Sequence, residues 1–231
     1  AAEDAASAIT ESGAKPYSID EVSVPTMYDS ADSSIMWAVV ISEDDRVVTS
    51  GIINWPSHMG SLNYGYAEYC GGRQINKKLY NTIPDSDVRK GWWLNENKTS
   101  NHLNADSAYM VSADYCGYPA YTQVKFAPYK NVVENSVNAN DIPLMRVEEM
   151  YLIKAEGEAM SGKAGDALNT LVNFIKTYRD PSYSFTSANP VDIQEEIYRQ
   201  RRIELWGEGL SWFDIMRLKK NVDRRGAGYP N

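Results

Sequence analysis

The sequence predicts a mainly α-helical fold with long irregular loops and little β-structure. Three observations carry that reading. Apolar residues recur at three- and four-residue spacing through most of the run from Asp141 to Arg217, and Asn189-Pro190 places a helix start signal inside it. Between residues 14 and 140, by contrast, short apolar runs are scattered among Gly, Asn, Ser, Tyr and Pro with no sustained helical period.

Taken in order, Ala1 to Ser12 reads as helix from its first residue and Gly13 follows it. The run Ile35 to Ile41 fits either a buried strand or a short helix, and Arg46 to Ile53 alternates in a way that suggests β-structure. From Leu144 to Met160, Leu144, Val147, Tyr151, Ala155 and Ala159 form an apolar stripe that Ile153 and Met160 widen, which predicts an amphipathic helix. Ser161 and Gly162 punctuate it. Ala164, Leu168, Leu171, Ile175 and Tyr178 then repeat the pattern after a connection so short that the two helices must pack antiparallel.

After Asn189-Pro190, where Asn can cap free amides and Pro suits a first turn, Ile193, Ile197 and Leu205 give a sparser apolar face. Gly207 and Gly209 break that helix before Trp212, Phe213, Ile215, Met216 and Leu218 build a short fourth one. Two helical hairpins of this size match the tetratricopeptide style of repeat, although its signature positions are only loosely present.

With 231 residues and 43% hydrophobic content, the chain can bury one substantial core or two small ones. A net charge of -8, with the cations interleaved among acids, argues against a nucleic-acid surface. No apolar run approaches the length needed to cross a bilayer.

The loop-rich region is where a ligand is expected, because long excursions without regular structure are often functional. Asn54-Trp55-Pro56 is followed by a segment dense in rings beside Asn, Ser and Glu, a mixture that suits sugars. A pyranose stacks its C–H face on indole or phenol, and its hydroxyls need amide, carboxylate or guanidinium partners. Trp55, Tyr64, Tyr66 and Tyr69 are the candidate platforms. Asn54, Asn63 and Arg73 are the candidate hydrogen-bonding groups, and Trp92 or Trp93 would supply another wall. The plain alternative is that the rings pack in the core or along an amphipathic strand, with at least one of Trp92 and Trp93 structural.

Catalytic readings are weaker. His58 and His102, the only histidines, have no zinc-ligand spacing, and neither a phosphate loop nor a nucleophile elbow occurs, so no metal or cofactor is expected. A glycoside hydrolase would need two carboxylates from Glu68, Asp85, Asp87 and Glu96. Asp85-Ser86-Asp87 could hold a calcium ion, but it lacks a full calcium loop, and such stretches are more often solvated turns. The charges from Glu195 to Arg217, among them Arg201, Glu204 and Asp214, read as pairs that fix helix registry.

Those charges also carry a resemblance. Arg146, then Ala155-Glu156, Glu204-Leu205 and Asp214 near Arg217, with Gly13 and Tyr17 after the first helix, resemble the C-terminal part of the SusD/RagB family of outer-membrane nutrient-binding lipoproteins. The match departs at Gln200, where the family often carries Glu, and at Trp206-Gly207, where an aromatic often directly precedes the next Glu. The resemblance covers the whole chain but only the latter part of the family's length. It implies a single SusD-like region over 1–231: residues 1–13 ending an upstream repeat, 14–140 facing the ligand, and 141–231 forming the hairpins and tail.

It further implies non-catalytic binding of a glycan or other nutrient at the cell surface. The implied partner is a SusC-like TonB-dependent transporter, with membrane attachment only through an N-terminal lipid anchor absent from this chain. An oxidising location would permit a disulfide between Cys70 and Cys116, and two buried thiols account for the pair equally well. A helical-repeat module that binds a peptide is the alternative function.

Overall fold

The structure is a computed structural model that describes residues 1–26, 29–49, 54–69, 71–103 and 117–226. Helix α1 (Ala2–Ser12) has Glu3 and Asp4 in its first turn, where acids suit the helix dipole, and Gly13 ends it at φ +67°. One-turn helices follow: α2 (Ile19–Val22), then α3 (Arg46–Thr49), α4 (Trp55–Met59), α5 (Tyr66–Tyr69) and α6 (Lys77–Tyr80). Strand β1 (Ile35–Val39) lies between α2 and α3 and pairs with β2 (Ile142–Arg146) as the only sheet among the described residues. The long helices come last, α7 (Val147–Met160), α8 (Ala164–Tyr178), α9 (Pro190–Glu204) and the short α10 (Ser211–Arg217).

Two expectations are corrected. Leu144 belongs to β2, because pairing with β1 overrides the helical period for the residues before Val147. Arg46 to Thr49 forms a helical turn rather than a strand; the rest of that run, 50–53, lies outside the described residues, as do Cys70 and Cys116.

The chain divides into two compact units. The first comprises Ala1–Ile19, Ser33–Trp37 and Leu144–Asp223. Its core is the seam of α7, α8 and α9, where Leu152, Ala155, Ala159, Leu171, Phe174 and Ile197 are buried together. Burying the larger of these, Leu152, Leu171, Phe174 and Ile197, contributes about 1.5–3 kcal/mol each. The small residues of α7 set close approaches: a Cβ on Gly157 would lie 2.9 Å from the backbone nitrogen of Ala2, so only glycine lets α1 cross here.

This unit also buries charge. Arg179 donates from Nε and Nη2 to both oxygens of Glu204, and Arg146 does the same to Glu208 at 2.9 and 2.8 Å. Glu148 closes the group, 2.9 Å from Arg146 and 3.2 Å from Arg179, while accepting from the Tyr17 amide and the Ser34 hydroxyl. Burial works against the Arg146 charge, but Glu208, Glu148 and Glu204 hold its pKa well above the usual value. A second cluster runs from Glu149 through Arg201 and Asp214 to Arg217 and Glu156. Charges that read as scaffold therefore form bidentate pairs that tie helices to the segments beside them.

The second unit, Asp20–Asp32, Ala38–Pro143 and Arg224–Asn231, has little regular structure among its described residues. Isolated bridges such as Gln74 with Thr122 and Trp93 with Gln123 order its extended segments. Trp92, Trp93 and Phe126 are fully buried, and the Lys125 ammonium lies 4.8 Å from the Trp92 ring centre.

A candidate glycan platform on the α4–α5 corner

The segment from Asn54 to Tyr69 begins with a cap. Asn54 Oδ1 accepts from the Ser57 amide at 3.0 Å, and Pro56 fits the first turn of α4. The same side chain's Nδ2 donates to the carbonyls of Val47 and Asn138. Helix α5 then folds back onto α4, with the Tyr66 amide donating to Ser57 Oγ at 2.8 Å. Glycine permits this approach, since a Cβ on Gly65 would stand 2.7 Å from Ser57 Oγ and 3.0 Å from Ser57 Cα.

Other amides pin the corner from outside it. Asn138 Nδ2 donates to the Tyr64 carbonyl, and Gln123 Nε2 donates to the Met59 carbonyl and to Ser61 Oγ. An irregular backbone lacks ladder partners for its carbonyls, so buried side-chain amides take that role. With the backbone held, Tyr64 and Tyr66 stay 40% and 39% exposed. His58 stacks on Tyr66, ring centres 4.4 Å apart and planes 22° from parallel. Trp55 is half-buried, its indole set edge-on to Phe126 at 5.5 Å.

Trp55, Tyr64 and Tyr66 thus lie on one short segment, where Tyr66 stacks on His58 and Trp55 meets Phe126. The residues suggested as hydrogen-bonding groups behave differently. Asn54 is spent on the backbone, and Asn63 is 1% exposed, its Nδ2 facing Asn140 Oδ1. Arg73 is half-buried and its carbonyl accepts from the Gln123 amide. Trp92 offers no surface for stacking, because it is 0% exposed and its Nε1 donates to the Val22 carbonyl. Trp93 is equally buried, so the pair forms interior packing rather than a wall. Tyr69 ends α5, and its ring lies outside the described residues. His58 is the residue that sequence reasoning missed. Its position three after Trp55, on a turn opened by Asn-x-Pro, was the available signal.

Three of the four carboxylates considered for hydrolysis are engaged elsewhere, while Glu68 lies on α5 with its Oε2 buried and without a hydrogen-bond partner among the described residues. Asp85 pairs with Lys90 at 2.6 Å, Asp87 with Arg89 at 2.6 Å, and Glu96 with Lys77 at 2.9 Å. The hydrogen bond from Lys90 pulls the Asp85 pKa below its usual value, the opposite of what a general acid needs. Among the described residues, no group of three His, Cys, Asp or Glu is placed to hold a metal ion, and no helix is long and apolar enough to cross a membrane.

A sequence model described as the SusD family matches residues 11–229. The chain belongs to the SusD family. A curated relative, SusD-like protein P38 of Formosa agariphila, is 31% identical over 143 residues, 57% of this chain and 28% of the relative. Among solved structures, a SusD superfamily protein from Bacteroides thetaiotaomicron superposes over 100% of the chain with a TM-score of 0.69 and 19% identity. A SusD-like carbohydrate binding protein from Bacteroides vulgatus covers 96% with a TM-score of 0.63 and 22% identity. This chain spans 48% and 41% of those two structures, so it shares the fold of part of a SusD-family protein. The mainly helical architecture with long loops and one small sheet is the SusD-like fold that the resemblance implies.

Proposed function

We propose that this chain captures a glycan on the α4–α5 corner without cleaving it, as part of a cell-surface nutrient-uptake protein. The observation that carries the reading is the stacked His58–Tyr66 pair beside exposed Tyr64, on a backbone already fixed by buried amides. Pre-formed aromatic surface loses little entropy when a sugar ring settles on it. Membership of the SusD family and the carbohydrate-binding description of the Bacteroides vulgatus neighbour support the ligand class. The pairing of Asp85, Asp87 and Glu96 supports capture over hydrolysis. Delivery to a SusC-like TonB-dependent transporter, and a lipid-anchored place on the outer membrane, rest on the family resemblance. Retardation of the chain in glycan-containing gels, lost in Tyr66→Ala and without release of reducing sugar, tests the reading.

One observation favours a second function. A groove of ≈ 420 Å³ within the helical unit sets the exposed Asn169 and Asn173 beside the Tyr151 and Tyr178 rings. Side-chain amides one helical turn apart match the donors and acceptors of an extended peptide. Binding of unstructured peptides that disappears in Asn169→Ala/Asn173→Ala and survives Tyr66→Ala would assign the chain to that role instead.

A further inference from the structure

A second concavity of the loop-rich unit has the chemistry of a binding site. It measures ≈ 510 Å³, within the range of about 300–1,000 Å³ usual for small-molecule sites. Tyr80 and the buried Trp93 border it from the interior, and Asn95, Thr99, Ser100 and Asn101 supply neutral hydroxyls and amides. Its charges are already matched, Asp85 by Lys90 and the buried Asp87 by Arg89 through two bonds of 3.0 and 2.6 Å. A neutral ligand would therefore displace no ion pair.

His102 marks the place where a ligand is wanted. The side chain lines the cavity and the residue is 4% exposed. It hydrogen-bonds the Val88 backbone, while Nδ1 has no partner among the described residues. Nε2 is therefore the donor to the Val88 carbonyl and Nδ1 carries the lone pair. Burial lowers the imidazole pKa to about 4, which keeps that lone pair available at neutral pH. The seat is specific: a Cβ on Gly91 would fall 2.3 Å from the ring, and Ser100 Oγ accepts the His102 amide while bonding the Gly91 carbonyl. A buried acceptor held this firmly and without a partner among the described residues is costly unless something bonds it.

We propose that this cavity is a second binding site for a neutral polyol, one sugar unit in size, whose hydroxyl donates to His102 Nδ1. It is distinct in residues from the α4–α5 corner and does not depend on that corner binding glycan. Nδ1 itself is buried, so entry of the hydroxyl needs a small outward shift of the lining over it.

The test uses the whole chain with ¹⁵N-labelled imidazoles and a panel of neutral monosaccharides: glucose, galactose, mannose and xylose. With two histidines in the chain, His58→Gln assigns both signals. The expected result is a saturable movement of the His102 Nδ1 resonance towards its hydrogen-bonded value with at least one sugar. It persists in Tyr66→Ala, and it weakens by about tenfold or more in Asn101→Trp, which enlarges an exposed rim residue without touching the core. A resonance already at its bonded value and unmoved by every sugar would mean that an internal water holds Nδ1, and would overturn the proposal. A movement lost in Tyr66→Ala would also overturn it, by placing the sugar on the corner alone.

Discussion

Arg179 holds both carboxylate oxygens of Glu204 at 2.8 Å, and neither side chain touches solvent. The same guanidinium donates to the Tyr17 carbonyl at 2.9 Å, so a single buried cation ties α9 to the segment that follows α1. Removing one partner of such a group strands charge in the interior. Arg179→Met should therefore lower unfolding stability by about 3–5 kcal/mol, read from denaturant midpoints. A loss below about 1 kcal/mol would show that the network relaxes around the vacancy.

The pH dependence of stability should carry the signature of His102. Its pKa falls from 6.5 to about 4 on folding, chiefly through burial, so the folded state favours the neutral ring. The associated stability is complete above pH 6.5 and is lost as pH falls, amounting to about 3 kcal/mol by pH 4. Urea unfolding across that window should be steeper for the native chain than for His102→Gln, which lacks the titrating group. Parallel pH profiles would remove burial as the cause.

Gly65 connects the backbone to the proposed glycan surface. Alanine there meets the Ser57 backbone at 3.0 Å as well as its hydroxyl, so α5 must move away from α4. Overpacking of this kind costs about 1–3 kcal/mol. Gly65→Ala should cut glycan retardation by more than that stability loss explains at temperatures where the chain stays folded, because the platform rings are displaced.

His58 should act through its ring rather than its charge. Stacked aromatic pairs contribute about 0.5–1.5 kcal/mol beyond their buried area. Retardation should survive in His58→Phe, which keeps the stack on Tyr66, and fall several-fold in His58→Ala. Equal losses in both variants would point to a polar role for the imidazole.

The helical part of this fold was legible in the sequence because its signals are local. Asn189 does cap α9, its Oδ1 accepting from the Val191 amide, and Ser161-Gly162 does end α7, with Gly162 at φ +79°. Even the departure at Gln200 has a place, since its amide donates to Glu196 at 2.8 Å. Leu144 was misread because its strand depends on β1, more than a hundred residues away, which no periodicity reveals. The candidate site was half legible. Density of rings pointed to Trp55, Tyr64 and Tyr66, but composition could not separate them from Trp92, which lies in the interior. Of the Asn residues read as sugar partners, Asn54 is spent on loop carbonyls, a demand that arises only once the irregular backbone is buried, and Asn63 faces the Asn140 side chain.

Affinity electrophoresis through gels of different soluble polysaccharides tests the central claim most directly, with the native chain run beside Tyr64→Ala and Tyr66→Ala and each gel assayed for reducing ends. Capture by the α4–α5 corner predicts retardation by at least one glycan, lost in both variants, with no cleavage. Retardation that both variants retain, or that comes with newly released reducing sugar, would contradict it.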